Sequence, residues 1–252
     1  MNIYEKKYFS EEIFDTEYST IAITIRDKYQ PKKVIEFGCG PGHLTVALAN
    51  LGISVTAIDG FSDPDFRGFD KIEFSKVDLN NYSEISNFLK SNGEYDLAIC
   101  TEVAEHLLTE SSEHLIHFLT QSAPVVIFSA AVPNQLGNGH INCQNRLFWH
   151  HLFLKKNFIL VDSIRKEFVF NNKLAIWYKL NILDYVNNQH IQVNNETLNK
   201  TIENLLFNES NASSLFYQTN NALNTKIAYL NYFGIKHYLM LRNFLKKILK
   251  ND

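Results

Sequence analysis

The sequence predicts an α/β protein with a mostly parallel sheet and helices on both faces. Three observations carry the prediction. Short apolar runs alternate with helical ones over the first 130 residues, a glycine-rich turn follows the first of those runs directly, and acids stand at the ends of successive runs.

Taken in order, Ile13, Phe14, Tyr18, Ile21 and Ile25 approximate a helical stripe that Pro31 closes, so residues 1–30 read as an amino-terminal helical segment. KVIEF (33–37) is strand-like and runs through the turn GCGPG into the helical LTVALANLG. SVTAID (54–59), KIEFSKVD (71–78), YDLAIC (95–100) and VVIFSAA (125–131) are further strands, and a helix is expected from EVAEH (102–106) to about Leu119. FILVDSI (158–164) and LAIWYKLNIL (174–183) are joined too tightly for a crossover helix and read as an antiparallel pair at the sheet edge. After Val186 the composition turns asparagine-rich and then helical. The expected division is a core domain over 31–186 and a mostly helical appendage over 187–252.

With 252 residues, 45% of them hydrophobic, the chain can bury a substantial core. A formal charge of -3 offers no basic footprint for nucleic acid. The amino terminus lacks the apolar region of a secretory signal and no stretch reaches membrane-spanning length, which predicts a cytoplasmic protein. Cys39, Cys100 and Cys143 are odd in number and widely spaced, against a disulfide framework or a thiolate zinc site. The basic amphipathic end KHYLMLRNFLKKILK suits packing on the domain, a homodimer contact or a peripheral membrane surface.

Gly38, Gly40 and Gly42 lie between the first strand and its helix, where glycine lets a ligand approach backbone N–H groups. A dinucleotide fingerprint would need glycine at 43, which is His43. The acids Glu36, Asp59 and Asp78 would repel a pyrophosphate. They suit vicinal hydroxyls, an exocyclic amine and a sulfonium cation. These residues resemble those of the class I S-adenosylmethionine-dependent methyltransferases over about residues 30–185. The resemblance implies a Rossmann-like, seven-stranded, mostly parallel sheet with an antiparallel edge strand. It implies S-adenosylmethionine as cofactor, held by Glu36, Gly38, Gly40, Gly42, Asp59, Asp78, Leu79 and Thr101.

EVAEH puts two carboxylates and an imidazole beside a buried strand. As the start of a helix it would present Glu102, Glu105 and His106 on one face. The polar loop SAAVPNQLGNGHINCQNRLFWHHLF after the fifth strand brings His140 to the same sheet edge. Glu102, Glu105, His106 and His140 form a reasonable shell for a divalent cation: Mg²⁺, Mn²⁺, Fe²⁺, Co²⁺ or Zn²⁺. The alternative leaves the same residues lining an acceptor pocket.

The E-x-x-E-H run followed by a later histidine is similar to that of metal-dependent small-RNA 2'-O-methyltransferases and of quinone-pathway O-methyltransferases. A closer resemblance is to bacterial surface-polysaccharide methyltransferases, carried by Pro133, Gln135, Gly137, Gly139, His140, Asn142, Trp149, Trp177, Tyr178 and Asn181. It implies an O-methyltransferase for a sugar or sugar-derived precursor of a capsule or surface polysaccharide, a small-molecule or nucleotide-linked acceptor. His106 and His140 are the catalytic candidates, as bases or through a cation that orients the hydroxyl, and Asn142 and Trp149 are the substrate contacts. A phosphoryl or phosphoramidate acceptor, a non-catalytic cofactor-binding partner and an NAD-dependent oxidoreductase are the alternatives.

Overall fold

A computed structural model describes residue 14, residues 16–168 and residues 171–189. Seven strands form one sheet: β1 Lys33–Phe37, β2 Ser54–Asp59, β3 Ile72–Lys76, β4 Leu97–Thr101, β5 Val125–Ser129, β6 Phe158–Leu160 and β7 Leu183–Asn187. Their spatial order is β3-β2-β1-β4-β5-β7-β6. β1 to β5 pair in parallel, and β7 runs antiparallel to both β5 and β6. The antiparallel strand therefore lies one place inside the edge.

Alternation along the central strands divides the core into two layers. Val34, Leu97 and Ile99 face helices α1 (Tyr18–Tyr29) and α2 (His43–Asn50). Ile35, Ala98 and Cys100 face α3 (Tyr82–Asn92), α4 (Ser112–Ser122) and α5 (Arg146–Lys155). The central strands are buried on both faces, which explains their uninterrupted apolar sequences. Fully burying each Ile, Leu or Phe contributes about 1.5–3 kcal/mol, so this double layer dominates the fold's stability. The strand order reverses between β1 and β4, which opens a crevice at their carboxyl ends.

Two expectations are corrected. The run expected as a strand at 174–183 contains helix α6 (Ile176–Asn181), and β7 begins only at Leu183. Tyr178 and Asn181, three residues apart, are its buried positions, which is helical and not strand spacing. EVAEH does not begin an α-helix. Glu102 has φ +54°, Ala104–His106 and Thr109–Ser111 are single 3-10 turns, and α4 starts at Ser112. The left-handed backbone at Glu102 breaks the face that 102, 105 and 106 were expected to share.

All three cysteines are free. Among the described residues no helix is long and apolar enough to cross a membrane. The appendage expected over 187–252, with its basic amphipathic end, lies outside the described residues beyond 189, and the helical stripe expected before Tyr18 lies almost wholly outside them.

Candidate active site

A cavity of about 320 Å³ occupies the crevice. Its walls include Glu36, Gly38, Gly40, Asp59, Leu79, Thr101, Glu102, Glu105, His106 and His140. These residues come from the carboxyl ends of β1 to β5 and the five loops that follow them at the same sheet edge.

The turn after β1 is shaped by backbone demands. Gly38 (φ +75°) packs against Val103 so closely that a Cβ there would lie 2.5 Å from Val103 Cγ2. Gly42 (φ +82°) caps α2 in left-handed geometry, and a Cβ there would collide with the Phe66 ring. The turn is tied to β2 through Asp59. One carboxylate oxygen accepts from Gly40 N–H at 2.9 Å, and the other accepts from Phe61 and Ser62 N–H, each at 2.7 Å. Glu36 is buried and accepts from the Thr45 hydroxyl; burial, opposed in part by that bond, raises its pKa to about 8. Of the expected cofactor residues, Gly42 and Asp78 do not line the cavity. Gly42 shapes the turn from behind, and the Asp78 side chain turns to its own loop, accepting from Asn80 N–H at 2.9 Å.

After β4, Glu102 N–H donates to both the carbonyl and the hydroxyl of Ser129, each at 3.0 Å. That anchors the turn and aims Glu105 inward. Glu105 is fully buried; the backbone N–H groups of Glu105 and Ala131 approach its carboxylate without reaching full hydrogen-bond geometry. Burial, then the neighbouring Glu102 carboxylate, push its pKa well above the ordinary range.

Glu105, His106 and His140 each present a ligand atom within 4.8 Å of the others. Nδ1 of His106 faces the Gly139 carbonyl at 3.3 Å, and Nδ1 of His140 faces the Gln135 carbonyl at 3.0 Å. A carbonyl can only accept, so these contacts assign the proton to Nδ1 and leave Nε2 with its lone pair on both rings. The rings lie 4.9 Å apart at 79°. Burial and the adjacent His140 lower the His106 pKa to about 4. A buried carboxylate beside two backbone-oriented imidazoles fits the donor set of a divalent metal.

Glu102, expected in the same shell, is drawn elsewhere. Its oxygens accept from Gln135 Nε2 at 2.9 Å and Asn181 Nδ2 at 3.2 Å, and it is not one of the three converging groups.

The two expected substrate contacts are corrected. Asn142 is buried, donates to the Ala104 carbonyl at 3.1 Å and Ser112 Oγ at 3.0 Å, and accepts from Thr109 Oγ1 and Gln144 Nε2 at 3.0 Å. Its polar atoms are consumed in holding the loop. Trp149 is buried between Phe128 and Phe148, with ring centroids 5.2 and 5.0 Å away, and belongs to the core.

Tyr18, which no motif singled out, lines the cavity together with Gln135 and Tyr178 of the polysaccharide-methyltransferase pattern. Tyr18 is carried over the crevice by α1, whose first turn is fastened to the chain before α6 by Ala175 N–H donating to Thr16 Oγ1 at 2.9 Å and by Lys173 with Glu17 at 3.2 Å. That clasp joins segments more than 150 residues apart, so no local signal announces it.

A family model described as a methyltransferase domain matches residues 22–197. Among curated proteins, a ubiquinone biosynthesis O-methyltransferase of Rickettsia canadensis is 35% identical over 75 residues, 30% of this chain and 32% of its own. Another such enzyme, of Azotobacter vinelandii, is 33% identical over 101 residues, 39% of this chain and 44% of its own. The chain thus spans about a third of the length of the first curated relative it matches. A solved structure of magnesium protoporphyrin IX methyltransferase from Synechocystis, with S-adenosylhomocysteine bound, superimposes with a TM-score of 0.50 at 20% identity, covering 67% of this chain and 81% of that one. That likeness concerns the fold.

Proposed function

Since the chain belongs to the methyltransferase domain family, we propose that it transfers a methyl group from S-adenosylmethionine to a hydroxyl, with the acceptor oriented at Glu105, His106 and His140. The observation that carries the reading is the convergence of the fully buried Glu105 carboxylate with the imidazoles of His106 and His140, their ligand atoms within 4.8 Å of one another and both rings oriented by backbone carbonyls.

The glycine turn, Glu36, Asp59, Leu79 and Thr101 are assigned to the cofactor. Gly38 and Gly40 let it approach backbone, and Asp59, fixed by three N–H groups, retains lone pairs for vicinal hydroxyls. Among the described residues no Lys or Arg lines the cavity. That composition supports a cationic sulfonium and weighs against the phosphoryl acceptor as a second reading. The alternation of carboxylates also weighs against a dinucleotide and its pyrophosphate.

In-line displacement at a methyl group depends most on positioning the nucleophile. Glu105, His106 and His140 would hold a divalent cation, and such a cation supplies a lowered hydroxyl pKa and a fixed orientation. His106, with its pKa near 4, is a weak base at neutral pH, which favours its role as ligand over that of proton acceptor. Gln135 and Gly139 fix the two imidazole tautomers through their carbonyls.

The acceptor is assigned as a sugar or nucleotide-linked sugar unit of a surface polysaccharide. Support comes from the residues of the polysaccharide-methyltransferase pattern, since Gln135, His140 and Asn181 of that pattern gather around Glu102 and the cavity. The test is transfer of radiolabelled methyl from S-adenosylmethionine to a panel of nucleotide sugars, with excess EDTA and then Mn²⁺ or Co²⁺ restored. Transfer that stops in EDTA and returns with metal supports the reading. Transfer untouched by chelator removes the cation and leaves His140 as base, and transfer to none of the panel removes the sugar acceptor.

A further inference from the structure

Among the described residues four carboxylates line the cavity, Glu36, Asp59, Glu102 and Glu105, and they are not equivalent. Asp59 is engaged by backbone N–H groups alone, Gly40 in the turn after β1 and Phe61 and Ser62 in its own loop. Glu105 is completely buried, and Glu36 is almost completely buried and accepts from the Thr45 hydroxyl. Glu102 alone has its charge supported by side-chain donors from two other segments. Gln135 gives Nε2–H to one oxygen at 2.9 Å, and Asn181 gives Nδ2–H to the other at 3.2 Å.

The two amides are themselves locked together. Asn181 also donates to Gln135 Oε1 at 2.8 Å, and Asn181 Oδ1 accepts from Arg146 Nη2 at 3.1 Å. The Arg146 contact fixes the orientation of the Asn181 amide, because a guanidinium requires an acceptor. Arg146, Asn181 and Gln135 are all buried, so the chain of donors is held rigidly and away from competing water. The left-handed backbone at Glu102, unusual for a non-glycine residue, is maintained by the Ser129 contacts and delivers the carboxylate to this clamp.

The surroundings of Glu102 suit a cation. It follows Thr101 at the end of β4, and its neighbour Val103 packs on Gly38 of the turn assigned to the cofactor. The aromatic rings of Tyr18, Trp177 and Tyr178 line the same cavity, and among the described residues no Lys or Arg lines it.

We propose that Glu102 is the counter-charge for the sulfonium of S-adenosylmethionine, with Gln135 and Asn181 as the positioning residues that hold it in place. The cavity would thereby prefer the cationic cofactor to the neutral thioether left after transfer, and product would leave more readily than substrate cofactor. The inference rests on the methyltransferase reading and assigns a specificity role within it.

The test is calorimetric titration of the full chain, in EDTA, with S-adenosylmethionine and with S-adenosylhomocysteine, for the wild type and for Glu102→Gln and Asn181→Asp. The wild type is expected to bind S-adenosylmethionine the more tightly. Glu102→Gln removes the charge at nearly constant shape, and should weaken S-adenosylmethionine by about tenfold or more while leaving S-adenosylhomocysteine within about twofold. Asn181→Asp keeps the acceptor that Arg146 uses and replaces a donor with a second acceptor. It should also reduce the preference, whereas a residue needed only to anchor Arg146 would leave the ratio unchanged. Equal weakening of both ligands in Glu102→Gln, or an unchanged ratio in both variants, overturns the inference. A wild type that binds neither ligand overturns the methyltransferase reading as well.

Discussion

The carbonyl of Glu105 accepts a hydrogen bond from the backbone N–H of Asn142 at 3.0 Å, while the Asn142 side chain reaches past it to the Ala104 carbonyl. This pairing fastens the loop that carries His140 to the turn that carries Glu105 and His106. Asn142→Ala should leave the Ala104 carbonyl and Ser112 without their donor and cost about 1–3 kcal/mol. Urea denaturation measures the loss. Divalent-cation binding should weaken along with it, while S-adenosylhomocysteine binding should hold, because Asn142 lies outside the cofactor half of the cavity.

Trp149 should behave as core. Trp149→Ala is expected to cost about 3–5 kcal/mol by leaving a cavity against Phe128 and Phe148, and Trp149→Phe much less. At a temperature where Trp149→Phe remains folded, its cofactor affinity should match that of the wild type. A folded Trp149→Phe protein with selectively impaired acceptor use would restore the tryptophan to the substrate site.

His150 offers a pH test. It is fully buried with neither ring nitrogen partnered, and burial, then His151, lower its pKa to about 4 from an ordinary 6.5. The unfolded chain takes up the proton first. Its neutral form thus supports the fold fully above pH 6.5, and that support is lost as pH falls towards 4, by about 3 kcal/mol in all. Glu36, with its raised pKa, gives the opposite slope at higher pH, so the comparison must be between wild type and His150→Phe. The difference in unfolding free energy between the two should shift in favour of His150→Phe between pH 6.5 and 4 and stay flat from pH 7 to 8.

Gly38→Ala should be destabilising through both φ and contact. A left-handed alanine costs about 1 kcal/mol or more, and its Cβ would press into Val103. Because Val103 adjoins Glu102, the variant should lose cofactor affinity beyond the stability loss, measured by titration below its melting temperature.

The strands were legible because their burial is written into composition. β1 and β2 match KVIEF and SVTAID residue for residue, since parallel strands covered on both faces need unbroken apolar runs. The end of the chain of strands was harder. Ile176–Asn181 is too short for its periodicity to stand out, and its helix is set by Tyr178 and Asn181 packing inward. Of the proposed metal set, the convergence of Glu105, His106 and His140 followed from loop adjacency at one sheet edge. The diversion of Glu102 did not, since it depends on a left-handed backbone and on amides from residues 135 and 181. Polar and aromatic residues in a loop look alike whether they face a ligand or hold the loop, which is why Asn142 and Trp149 read as substrate contacts.

The central claim is that the crevice at β1 and β4 takes S-adenosylmethionine chemistry. Calorimetric titration of the wild-type chain with S-adenosylhomocysteine and, separately, NADH tests it most directly. The account predicts one S-adenosylhomocysteine site per chain, lost in Gly38→Ala, and no heat of binding from NADH. Saturable NADH binding without S-adenosylhomocysteine binding would contradict it.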